Sequence, residues 1–208
     1  MQEEIVPLSV ICAIVLFIAR EINDYRKSKN KEIRHRRAIK LILADEIKQN
    51  FLTLERLSSV MPLLLKGIEY AQKDIPFVRN AHTDRYGNDV IKFHIGENGE
   101  YGQLLSPIPH FSMHKFEAHL KDTVLLEPDV HKYLTNLYQE LNFCSNIRNE
   151  LVVFLSGESP LGHWAFANRV ESFDQQKEQY FELLQEAHIL LVGTKLEVLF
   201  RQVKELKP

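Results

Sequence analysis

Residues 39–68, IKLILADEIKQNFLTLERLSSVMPLLLKGI, carry Ile39, Leu43, Ile47, Phe51, Leu54, Leu57, Met61, Leu64 and Ile68 at steps of three or four. Eight steps over 29 residues make a period of about 3.6, one face of an amphipathic α-helix. Pro62 lacks the N–H that a helix interior needs, and Ser58-Ser59 offers a cap for a fresh start. A kink or break is therefore expected between a helix of roughly 30–58 and one of roughly 60–73.

Working outward toward the carboxyl terminus, residues 74–109 are punctuated by Pro76, Gly87-Asn88, Gly96, Asn98-Gly99, Gly102, Pro107 and Pro109. Ile91, Phe93 and Ile95 alternate with Lys92 and His94 before the Glu97-Asn98-Gly99 turn, and Tyr101–Leu105 follows, so a small hairpin or irregular flap is expected. Pro109 suits the first turn of a short helix reaching about Leu120, with Met113, Phe116 and Leu120 on its buried side. A second long helix opens at Pro128-Asp129, places Val130, Leu134, Leu137, Leu141, Cys144, Ile147, Leu151 and Phe154 on one face, and ends at Ser156-Gly157. Residues 157–168 read as a connection holding Trp164, and a last helix is expected over 169–205 with Phe173, Tyr180, Leu184, Ala187, Leu191 and Val198 inward.

Toward the amino terminus, Ile5 to Ala19 (IVPLSVICAIVLFIA) holds fifteen uncharged residues between Glu3-Glu4 and Arg20-Glu21. At 1.5 Å per residue this is about 22 Å, against a hydrocarbon slab of about 30 Å. Snorkelling of Arg20 and local thinning of a bilayer would cover the difference, so the stretch is read as a membrane span with Ile5, Leu8, Ile11, Val15, Ile18 and Ala19 in lipid. A buried or interfacial helix is the alternative. A cleaved signal peptide fits less well, because the start is acidic and Arg20 directly follows the best cut site. Ser9 and Ala13 form a small-xxx-small pair that would let two spans approach, or they simply face lipid.

The net charge of -2 hides a strong order along the chain. Residues 20–40 hold nine basic side chains (Arg20, Arg26, Lys27, Lys29, Lys31, Arg34, Arg36, Arg37 and Lys40) against three acidic ones, whereas residues 41–208 hold 17 basic against 23 acidic. Lys and Arg accumulate on the cytoplasmic side of a span. The expectation is thus a single-pass membrane protein with its amino terminus outside, its bilayer contact extended by those nine residues to anionic headgroups, and an acidic domain in the cytoplasm. The acidic domain argues against nucleic acid as a partner. Two cysteines exclude a disulfide framework, and 45% hydrophobic content excludes a disordered chain.

Taken together the fold class is mainly α: an N-terminal tail and transmembrane helix within 1–19, a basic stretch over 20–40, and an up-and-down helical bundle over 41–208 with the 74–109 insertion. The order of apolar segment, basic stretch, Glu46-Ile-Lys-Gln-Asn50, short helix and LLEPDVHKYLTNLYQELN resembles small, uncharacterised bacterial single-pass membrane proteins. That resemblance implies an inner membrane and a helical cytoplasmic domain, and no activity.

The chemistry is sparse. His110, His114 and Glu117 would share about a 60° arc if one helix carried them, a spacing compatible with a Zn²⁺ site or with a solvated flank. Asn50, Asn142, Asn146 and Asn149 either fix helix register as buried amides or lie in solvent. Trp164 is either an anchor for a partner or a plug for the bundle end. The pattern contains no Walker loop, dinucleotide glycine motif or CxxC, and no cofactor is expected. The function these features point to is a tethered, non-enzymatic helical module that binds or positions a partner protein, itself forming a homo-oligomer or a mixed complex. A membrane-perturbing effector of a stress or phage-defence cassette, and a metal-assisted hydrolase built on His110 and His114, are the alternatives.

Overall fold

A computed structural model describes residues 8–159 and 162–196. The chain is mainly helical with one small antiparallel sheet, in the order α1 (Leu8–Ala71), β1 (Phe77–Thr83), β2 (Asp89–Ile95), β3 (Gly102–Ile108), α2 (His114–Ala118), α3 (Leu120–Thr123), α4 (Pro128–Ser156) and α5 (His163–Val192). Helix α5 packs against both α1 and α4, and the sheet packs against α4 and α1. One core joins them: Leu43, Ile47, Leu54, Leu57 and Leu64 of α1 meet Leu134, Cys144 and Leu151 of α4, Phe173 and Leu184 of α5, and Ile91 and Phe93 of β2.

Helix α1 departs most from expectation. It runs unbroken for 64 residues, through both the junction at 19/20 and Pro62. A proline inside a helix removes one hydrogen bond and costs about 3 kcal/mol. Here the turn around it buries Val60, Met61 and Leu64 to 1% exposure or less, and that packing offsets the loss. At the other end, residues 12–38 are all exposed, and burial begins only at Ile39. The first half of α1 is therefore an arm whose base meets the body at Ile33, His35 and Arg37 and whose residues 12–32 reach about 30 Å further, at 1.5 Å per residue.

The expected bilayer span is corrected accordingly. Among the described residues no helix is long and apolar enough to cross a membrane, which overturns the single-pass, inner-membrane placement with its outside amino terminus and cytoplasmic domain. The physical reason is the charge that follows the apolar run: Arg20, Glu21, Asp24 and Arg26 continue the same helix before a bilayer's thickness is reached. Ile5 lies outside the described residues. Leu8, Ser9 and Ile11 fall in the first turns of α1, and Ala13, Val15, Ile18 and Ala19 follow on its exposed arm.

The insertion is a three-stranded meander, not a hairpin, with order β1-β2-β3. Phe77 pairs with Ile95 and Thr83 with Asp89, while Asp89 pairs with Ile108 and Ile95 with Gly102. Inward and exposed positions alternate along β1, but Arg79 takes one of the inward ones, stacking its guanidinium 4.1 Å from the Phe154 ring centroid. The short helix also differs: Pro109 precedes it and α2 starts at His114, since Ser112 is held in a non-helical link by Asn50. Helix α5 begins earlier than expected, at His163, and ends at Gly193, whose φ of 76° is the left-handed cap that glycine adopts without strain. The expected continuation to residue 205 already fails at 193–196, which are not helical, and residues 197–205, with Val198, lie outside the described residues.

Gly67 marks where the sheet meets α1. A Cβ there would sit 2.6 Å from the Phe77 ring. Alanine gains about 1 kcal/mol of helix propensity over glycine, whereas overpacking costs about 1–3 kcal/mol. Gly67→Ala is expected to lower stability by about 1 kcal/mol net in a urea titration; an increase would mean that Phe77 swings aside freely.

Candidate functional site

Three groupings of polar and exposed side chains stand out. The first is centred on Glu46, fully buried on α1. Its Oε1 accepts from the Ser112 hydroxyl at 2.7 Å and the Lys115 backbone N–H at 2.7 Å, and its Oε2 accepts from the Phe116 N–H at 2.9 Å and the Tyr138 hydroxyl at 2.6 Å. One turn on, Asn50 donates to the Ser112 carbonyl and accepts from its N–H, both at 2.7 Å. Glu46 and Asn50 thus grip the strand-to-helix link, and the carboxylate caps the amino end of α2. Phe116 stacks on Tyr138 with centroids 4.0 Å apart, closing the site against water. Burial pushes the Tyr138 hydroxyl well above the ordinary phenol range, and the carboxylate beside it adds to that rise. The hydroxyl therefore stays protonated as a donor. Every lone pair direction of Glu46 is spent on the chain itself, so this grouping holds structure together.

The second is the Asp89–Arg148 pair where β2 meets α4. Arg148 is 2% exposed, pairs with Asp89 Oδ2 and donates to the Ile108 carbonyl at 2.8 Å. Thr83 donates to Asp89 at 3.0 Å, and His110 Nε2 lies 3.5 Å from the same carboxylate. Burial alone would raise the Asp89 pKa, but the hydrogen bonds from Arg148 and Thr83, with the Arg148 charge, together hold it below the usual carboxylate range.

His110 therefore lies before α2, not on it, and the one-helix arc that would bring it together with His114 and Glu117 does not form. Among the described residues no group of three His, Cys, Asp or Glu side chains is placed to hold a metal ion. Of the four asparagines, Asn50 is buried, and Asn142, Asn146 and Asn149 are exposed. Trp164 stands in the first turn of α5 with 72% of its surface exposed, so it does not plug the bundle. Trp164→Ala is expected to change unfolding free energy by less than about 0.5 kcal/mol. A loss above about 2 kcal/mol in the same titration would show that the indole packs in solution.

The third grouping is the arm. Ile14, Val15, Ile18, Ile22, Tyr25 and Ile33 are 48–68% exposed. At about 100° per residue they fall within an arc of about 100°, and Ile39, Leu43 and Ile47 of the core continue that stripe. The face of α1 that builds the body thus extends outward as an exposed stripe, with Ile33 beside Leu191 and Val192 at its base. The nine basic residues expected at a lipid surface lie on this helix: Arg20 is 3.8 Å from Asp24, Arg36 is 2.6 Å from Glu32, and Lys40 is 3.1 Å from Glu127. Arg26, Lys27, Lys29, Lys31, Arg34 and Arg37 all point into solvent. At the base of the arm Ile33, Arg37, Leu41, Leu191 and Val192 frame a groove of about 390 Å³. His35 and His119 both approach Asp122, at 3.7 and 3.2 Å, and tie that base to α3. The His119 hydrogen bond and the two imidazoles hold the Asp122 carboxyl below its ordinary range.

Sequence reasoning passed over Asp89, Arg148 and Tyr138. The available signal was Arg148, which lies four residues after Cys144 and three before Leu151, on the apolar face of α4. A charge at that position of a buried stripe demands a partner. No family model, curated protein or solved structure matches the chain.

Proposed function

We propose that the chain is a helical interaction module that binds and positions a partner protein through the arm of α1, with binding, not catalysis, as its task. The observation that carries this reading is the uniform exposure of residues 12–38 on a helix continuous with the core. Burying one aliphatic side chain yields about 1.5–3 kcal/mol, and the stripe leaves five of them, with Tyr25, in water. An exposed stripe of this kind on a preformed helix fits helix-in-groove or helix-on-helix recognition. The body supports the arm by burying its base at Ile39 and Leu43 and by the Lys40–Glu127 and His35–Asp122 pairs.

The test compares the full-length wild type with an Ile14→Glu, Ile18→Glu, Ile22→Glu variant, each crosslinked in its native host and quantified by mass spectrometry. All three positions are exposed, so the variant keeps its circular-dichroism spectrum. Proteins enriched on the wild type should fall by about tenfold or more on the variant, which a loss of only 1.4 kcal/mol would produce. Equal recovery from both would remove the arm from any binding role.

A further inference from the structure

We infer that Arg79 of β1 and His163 of α5, gathered around the Phe154 ring of α4, form a binding site for a small oxyanion, the phosphate or carboxylate group of a ligand. The site is separate from the arm, and nothing bound to the arm is needed for it.

Two observations carry this. The first is a cation without a counter-charge. The Arg79 guanidinium lies over the Phe154 ring, 4.1 Å from its centroid, and Phe166 stacks on Phe154 with centroids 4.0 Å apart, so the two cover opposite faces of that ring. Phe154 is buried, which makes the seat of the guanidinium apolar. Nη1 of Arg79 has lost its water and finds no hydrogen-bond partner among the described residues. Burial draws the Arg79 pKa down, and no carboxylate among those residues opposes it. The ring contact recovers only part of what that burial costs. Arg148 shows the usual solution, a guanidinium taken out of water and met by Asp89. A buried donor left open in a folded chain calls for a water or an ion.

The second is a further donor at the same place. His163 sets its ring edge-on to Phe154, with centroids 5.6 Å apart and planes at 87°. Burial, and after it the Arg79 charge, hold its pKa below the ordinary imidazole range, so at neutral pH it is an uncharged ring with one N–H to give. The first turn of α5, which His163 opens, carries no acidic side chain, and Glu150, one turn before Phe154 on α4, pairs with Arg169 instead. Arg79 keeps part of its surface in water and His163 is exposed, so a ligand reaches the pair from solvent. A guanidinium presents parallel N–H donors that match two oxygens of a phosphate or carboxylate, and such a bond gains strength on an apolar seat. One anion would serve both groups.

Inorganic phosphate and acetate are the probes, each titrated into the full-length chain at constant ionic strength, with urea unfolding as the readout. At a dissociation constant of about 1 mM, about 20 mM phosphate raises the folded-to-unfolded ratio of the wild type about 20-fold. Phosphate also strengthens apolar burial in any protein, so the effect is read as the excess over Arg79→Met. That variant should lose the excess and, in anion-free buffer, match or exceed the wild type in stability, because an apolar chain has replaced an unpaired charge. His163→Ala should weaken phosphate binding about fivefold. In the wild type, phosphate should also raise the titration midpoint of the His163 ring by proton NMR, its resonance assigned by its loss in His163→Ala. An excess with acetate and none with phosphate would make the ligand a carboxylate and sustain the site. Equal responses of the wild type and Arg79→Met to both anions would overturn it, as would a His163 midpoint that neither anion moves. If Arg79→Met does not fold, that midpoint alone decides.

Discussion

Glu46→Ala is expected to lower the unfolding free energy by about 3–5 kcal/mol, a large share of the roughly 5–15 kcal/mol that holds a domain of this size. The side chain is fully buried and accepts four hydrogen bonds, from Ser112, Tyr138 and the backbone of Lys115 and Phe116. Truncation leaves those four donors without an acceptor inside the body, each costing about 1–3 kcal/mol unless water enters. Glu46→Gln separates charge from shape. Its amide keeps one oxygen, but the NH₂ must face either the pair of donors at Oε1 or the pair at Oε2, so a substantial loss remains. Asn50→Ala removes only the two bonds to Ser112 and should cost about 1–2 kcal/mol. Urea unfolding of the three variants gives the ranking directly. A loss below about 1 kcal/mol for Glu46→Ala would mean that the pocket is wet and the carboxylate is solvated in the folded state.

The second large effect concerns the Asp89–Arg148 pair. Asp89→Asn leaves the 2%-exposed guanidinium of Arg148 without its counter-charge, and breaking a buried pair from one side typically costs about 3–5 kcal/mol. Arg148→Ala removes the charge but also the donor to Ile108, so it should be comparably damaging. The double change Asp89→Leu with Arg148→Met replaces the pair by apolar volume and should recover part of the loss, as buried pairs rarely outperform good packing. The non-additivity of the three variants measures the coupling. The pair also writes a pH dependence. The folded-state pKa of Asp89 is depressed, so its contribution is fully present above the ordinary carboxylate range near 4 and is lost as pH falls through the lower folded value. Wild-type stability should therefore drop faster below about pH 4 than that of the apolar double variant, and parallel acid titrations would contradict the pairing.

How much of this was legible in the chain depended on whether a residue's role was local or distant. The helix α4 reads directly, because its stripe from Val130 to Phe154 has one period and stops at a glycine. The turn at Glu97–Gly99 reads for the same reason, its chemistry being contained in adjacent residues. Strand β1 did not, since Arg79 looks polar until Phe154 is brought beneath it. Nor did the role of His110: spacing alone put it on a helix with His114, and only Asn50, 62 residues from Ser112, shows why the helix starts late. Pro62 misled in the opposite sense, because a local rule about missing N–H groups lost to the burial of the turn around it. The same limit applies to the apolar run after Ile5, where hydropathy read a span and the helix instead carries its charges onward without a boundary.

The sequence by itself determined the helical class, the stripe on each long helix and the sharp order of charge along α1, since periodicity and charge are properties of neighbours in the chain. Only the tertiary structure decided that α1 is one helix with its first half standing free. It alone also assigned Glu46, Asn50, Asp89 and Arg148 to structural pairs. A buried charge acquires its meaning from whatever the fold sets within about 3 Å of it, and apart from Thr83 beside Asp89 the partners described lie 40 to 92 residues away in the chain.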